Sequence, residues 1–211
     1  MIATNTKDKS SFRRMAFALA LLSAALLILA VILPILFNGD QGTPPTPSFE
    51  FADPSLSTNP EADEEYMALD RTVYYRRMSG YEVTVPIQEE NLSSQDAELV
   101  LLWRLVRAAM KGDNEAYDAC FATEYIQAGG GTASFTKQKL YDITITFYEG
   151  VEQPLPAGYS TVRFYGLTYK IKDNNGSLRS DMGSDAVKEQ FFLVVRDAEE
   201  RAFAYDVRTN E

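Results

Sequence analysis

Few stretches of this 211-residue chain combine residue types that chemistry uses, and each meets a spacing test. Asp173-Asn174-Asn175-Gly176-Ser177 opens like a calcium loop, which needs a bidentate glutamate at its twelfth position. That position is Ser184, so the stretch reads as an Asn-Gly hairpin turn. Gly129-Gly130-Gly131 lacks the Gly-Lys-Ser/Thr that completes a phosphate loop and reads as a flexible connection. Cys120 is the only cysteine; beside Tyr117 and Phe121 on an expected helix it reads as a small buried hydrophobe, not a nucleophile.

The chain has no histidine, which removes Ser-His and Cys-His pairs, imidazole metal ligands and the side chain that titrates near neutrality by default. Neither a cofactor nor a metal site is expected. A formal net charge of −10 and a pI near 4.6 repel phosphate backbones, so nucleic acid is excluded as a partner. A lone cysteine also means that no internal disulfide holds the fold.

The elements that must position any site begin with an anchor. Residues 15–37, from Met15 to Phe37, carry no charge, and roughly 20 such residues cross a ~30 Å hydrocarbon layer. The run is longer than a signal-peptide core and has no small-x-small exit, so it reads as an uncleaved helix embedded in the bilayer. Lys7, Lys9, Arg13 and Arg14 in the tail 1–14 precede it, and no Lys or Arg follows until Arg71. Basic flanks stay inside, which predicts a single-pass cell-membrane protein with a cytoplasmic N-terminus and an extracytoplasmic remainder. That remainder holds 16 basic and 29 acidic residues, net −13. The layout suits a bacterial envelope protein.

Residues 38–64 contain prolines and turn formers and read as a semi-extended linker, with Phe49 and Phe51 as the exception, either a strand or an arm that docks on the domain. In 65–92, alternating β-prone residues around Ser79-Gly80 predict a hairpin extension. The domain proper spans 93–211. Ser93 and Ser94 are cap candidates for a buried helix, AELVLLWRLVRAAMK, polar only along Arg104, Arg107 and Lys111; it stops at Gly112. A second helix is expected over NEAYDACFATEYI and a short third one at SFTKQKL, capped by Ser134 or Thr136. Four period-two runs follow: YDITITFYE, STVRFYGLTYKIKD, KEQFFLVVRD and RAFAYDVRT. The expected class is α+β, two to three helices packed on a curved antiparallel sheet.

This order, with the step KGDNEAYDACFATEYI after the first helix and the final hairpin KEQFFLVVRDAEERAFAYDV, resembles the nuclear-transport-factor-two-like superfamily over 93–211. Two departures stand out: Phe203 or Tyr205 replaces a frequent tryptophan, and the last turn, Asp197-Ala198-Glu199-Glu200, has no glycine. The resemblance implies a cone-shaped domain with an open mouth, where some members pair an aspartate base with a tyrosine donor. Tyr125, Tyr141, Asp142, Tyr165 and Tyr169 are the residues that would line such a mouth; their ordinary role is cross-strand aromatic packing. Three functions stay open: a non-catalytic binding or interaction module with a protein partner or a second copy, a structural subunit of an envelope or secretion-type assembly, and a Tyr/Asp-dependent isomerase or hydrolase. The first is favoured, because a scaffold alone does not specify chemistry.

Overall fold

The computed structural model describes residues 49–79, 82–130 and 133–209. The basic tail, the apolar run 15–37 and the start of the proline-rich stretch lie outside the described residues. Among those described, no helix is long and apolar enough to cross a membrane.

The β-branched and aromatic runs pair into one six-stranded sheet in the order β2-β1-β3-β4-β5-β6. The strands are β1 Val73–Met78, β2 Glu82–Pro86, β3 Lys139–Tyr148, β4 Thr161–Lys172, β5 Gln190–Arg196 and β6 Ala202–Thr209. All neighbours are antiparallel except β1 and β3, where Val73 lies opposite Ile143 in parallel register. The sheet is therefore mixed, not antiparallel throughout. Its parallel pair is allowed because the helical stretch between β2 and β3 supplies the long crossover that parallel strands require. The 65–92 hairpin is thus an integral edge of the sheet.

One face of the sheet carries Ile143, Ile145, Tyr165, Leu167, Tyr169, Phe192 and Val194. Helix α1 is the short Glu64–Met67, and α2, the only long helix described, runs Ala97–Lys111. Leu99, Leu102, Leu105, Val106 and Ala109 of α2 pack on that face, each larger side chain contributing about 1.5–3 kcal/mol by leaving water. The expected serine caps sit instead in a 3-10 turn, Glu89–Ser94. Asp96 takes the cap position without a capping bond, because its carboxylate accepts from Arg163 at 3.0 Å. Gly112 ends α2 at φ +68°.

The second expected helix is cut short. Helix α3, Asn114–Asp118, is capped by the Asp113 carboxylate, which accepts from the Ala116 N–H. Ala204 N–H then donates to Cys120 O and Ala122 N–H to Ala204 O, so Phe121 bridges to β6. Only a three-residue helix, α4 Thr123–Tyr125, and a π turn follow. The predicted third helix does not form. The Asn114 amide holds both Phe135 backbone groups and Asp118 accepts from Ala133 N–H, leaving that segment extended into β3.

The Asn-Gly stretch also differs from the hairpin turn expected. Residues 173–189 make a long loop around Asn174, which is fully buried and donates to Arg179 O and Met182 O. Part of the predicted linker belongs to the domain as well, since residues 48–211 form one compact unit. Phe51 lies against Gly176, Ala52 N–H donates to Asn174 O, and Asp63 both caps α1 and accepts from Lys139 at 2.7 Å. Tyr66 is buried with its hydroxyl on Leu140 O. These contacts turn a predicted spacer into an arm wrapped on the sheet.

Candidate functional site

The five residues expected at a mouth are not brought together. Tyr165 and Tyr169 alternate on the helix-facing side of β4 and lie in the filled core. Burial pushes both phenols upward, the Glu98 carboxylate adding to it at Tyr165 and Arg179 opposing it at Tyr169. Tyr169 donates to Gln190 and accepts from Arg179, itself buried and paired with Asp181. Tyr141 lies on the opposite face: its hydroxyl donates to Asp185 at 2.7 Å, and burial, then that carboxylate, drives its ionisation upward. Asp142 occupies a bulge at φ +50° and pairs with Lys170. Tyr125 stacks on Phe121 and lines a shallow cavity with Pro154, Leu155 and Tyr205. Tyr141 and Asp142 both meet Lys170, whereas Tyr125, Tyr165 and Tyr169 are placed elsewhere. Cys120 is buried, and desolvation pushes its thiol up to about 11, well away from a thiolate nucleophile.

Two networks explain most of the remaining charges. Glu98, fully buried near the start of α2, accepts from Arg196 through both oxygens and sits 3.4 Å from Arg163. Lys139, also buried, bridges Asp63 and Asp173, with Lys172 and Glu65 at the margin. Both tie elements together, and the Lys139 network also lines an open concavity of about 500 Å³ with Ser55, Asn59 and Ala62. Among the described residues no cluster of three or more His, Cys, Asp or Glu is placed to hold a metal ion.

What remains is on the outer side of α2. Of the 16 lysines and arginines among the described residues, 11 form ion pairs. The five that do not are Arg71, Arg104, Arg107, Lys111 and Lys137. All five line two adjoining concavities that share Arg107 and Lys111. The larger, about 900 Å³, runs along α2 and is walled by α3 and the start of β6. Its apolar lining includes Val100, Trp103, Ala116, Ala119 and Phe203. The smaller, about 190 Å³, adds Arg71 and Lys137 beyond the end of the helix.

Helical periodicity makes this surface. With 3.6 residues per turn, positions 99, 102, 105, 106 and 109 face the sheet while 100, 103, 104, 107 and 111 face outward. Two of the cations are held by rings: Arg107 lies 5.6 Å over Trp103 and Arg71 5.6 Å over Tyr66. The Nε of each is shielded from solvent and has no hydrogen-bond partner. The carboxylates in the lining are few. Asp113 is committed to capping α3, and Glu61 forms no ion pair. The result is a positive, partly apolar groove on an acidic protein.

The sequence displayed Arg104, Arg107 and Lys111 as one stripe, yet gave no sign that they lack partners. Arg71 and Lys137 come from distant segments, and no local signal joins them to the stripe. Comparison with family models, curated proteins and solved structures returned no match.

Proposed function

We propose that this chain is a membrane-anchored, extracytoplasmic bacterial member of the nuclear-transport-factor-two-like superfamily that works as a non-catalytic interaction module, with the α2 groove as its working surface. The observation that carries the reading is the gathering of all five unpaired cations of the described residues around one concave, partly apolar lining. Elsewhere on the domain cations are neutralised in place, as folding stability alone would arrange them. Unneutralised charges gathered on one face raise local potential and steer an oppositely charged partner at the cost of mutual repulsion. The filled space between α2 and the sheet, and the scattering of the tyrosines, support a role without catalysis.

Placing a photoreactive residue at Val100 in the full chain tests this. In native membranes the adduct at Val100 is expected to be a single partner protein, lost on Arg104→Glu and absent when the probe sits at Thr168 on the other face of the sheet. Adducts that are the same from both positions, or indifferent to Arg104, would refute the reading.

A second reading, a structural subunit of an envelope assembly, draws on the open sheet edge. There β2 leaves Val83 and Val85 exposed, and an unpaired edge is a template for another strand.

A further inference from the structure

We infer that the occupant of the α2 groove is an acidic amphipathic peptide segment, docked along the helix with its apolar residues against Val100, Trp103 and Phe203 and its carboxylates toward Arg104, Arg107, Lys111, Arg71 and Lys137. This assignment of partner chemistry rests on the groove being an interaction surface.

Shape, charge and the order of the lining residues lead to it. The groove follows a 15-residue helix, about 22 Å of axis, which matches roughly four turns of a partner helix. Along that axis the lining changes character. Val100 and Trp103 lie in its first half, close to Phe203, whereas Arg107 and Lys111 continue into the cavity holding Arg71 and Lys137. A ligand satisfying both ends must be apolar in one part and anionic over a length of several residues in another. An amphipathic segment with acidic residues at helical spacing has that pattern, the helix-in-groove mode of recognition.

Other anionic ligands fit less well. A bilayer surface is flat and meets protruding apolar groups, whereas Trp103 and Phe203 here line a concavity; the chain's net charge of −10 also repels anionic headgroups. A lone phosphate would use the cations and leave the apolar half bare. The two ring-held guanidiniums favour carboxylates spread along a chain, because each keeps a fixed position with donors available. Trp103 sits at the boundary of the two halves, with Arg107 over its ring, and is thereby the central anchor of the contact.

Trp103 is also the only tryptophan in the chain, so its fluorescence reports on the groove alone. The full chain in non-ionic detergent micelles is titrated with a synthetic helical peptide bearing a leucine stripe flanked by glutamates, and with its lysine-flanked counterpart. Saturable change in Trp103 emission with the glutamate peptide only, weakening steeply with added salt, is the expected result. Arg104→Glu with Arg107→Glu should weaken binding at least about tenfold, while Arg208→Glu on β6 leaves it unchanged. If the double variant loses its far-ultraviolet circular dichroism, the salt dependence and the lysine-peptide comparison on the native chain decide. Equal response to both peptides, or to neither, overturns the inference. So does a Trp103 response to equimolar phosphatidylglycerol and phosphatidylcholine vesicles with none to the peptide. If the peptides fail while the Val100 adduct in native membranes persists, the interaction reading stands and only the partner chemistry assigned here falls.

Discussion

Glu98 shows what a single residue does in this fold. It is a carboxylate with no exposure at all, tolerated because Arg196 donates to both of its oxygens and Arg163 stands behind. Removing its charge would leave Arg196 and Arg163 with only their more exposed partners, Glu200 and Asp96, which is more costly than never having had the buried pair. Glu98→Gln is therefore expected to lower stability by about 3 kcal/mol in urea unfolding, without a change in the denaturant slope. Substituting both Glu98 and Arg196 by leucine should recover a large part of that loss. A loss under 1 kcal/mol for the single variant would mean that water reaches the pair. The sequence marks Glu98 only as an acidic residue in a helix's first turn. Its partners come from β4 and β5, and nothing local announces them.

The boundaries of the elements follow from similar tertiary partners. Helix α2 was legible along its length and at its C-terminal end because its apolar period is strong and Gly112 closes it, whereas its expected serine caps fall in a 3-10 turn. Beyond that point the pattern NEAYDACFATEYI favours a helix, but β6 offers Ala204 as a backbone partner and the chain takes it. The strands were legible because alternation is a local signal; the parallel neighbour of β3 was not, since register with β1 depends on packing. Gly112 gives a test at this scale. It sits at φ +68°, and an added Cβ would lie 2.8 Å from the backbone nitrogen of Lys137. Gly150 is at φ +80° with open space around it. Gly150→Ala should cost only the left-handed penalty, about 1 kcal/mol. Gly112→Ala should cost about 2–3 kcal/mol, because backbone must also move. Thermal unfolding of the two variants checks this, and equal shifts would show that the approach of residues 136–137 to the helix end is not rigid.

At the scale of the whole molecule, residues 49–64 of the stretch expected to form a tether instead pack on the domain, and the unexpected part of the architecture is electrostatic. An acidic, proline-bearing stretch looks like linker in composition, yet Lys139 and Lys172, some 75 and more positions further on, supply cations that hold Asp63 and Glu65. The same fold leaves the cations of the α2 groove without ion-pair partners among the described residues, so cations that lock the arm are separate from those of the groove. The lock has a pH signature. The Lys139 ammonium, and then the Tyr66 N–H, hold the Asp63 carboxyl well below the usual carboxylate range. A group whose folded value is depressed stabilises above its unfolded value of about 4, and that contribution fades as pH falls from there through the folded value. Hydrogen exchange on the full chain should thus show amides over 52–68 losing protection as pH is lowered below about 4, before those of β3 to β5. Asp63→Ala should open the same segment at neutral pH, the lost cap alone costing about 1 kcal/mol. Loss of protection in arm and sheet together at every pH would mean that the arm is part of one cooperative unit. Its release would then require unfolding of the domain, and the groove cavity lined by Glu61, Tyr66 and Arg71 would persist for as long as the sheet does.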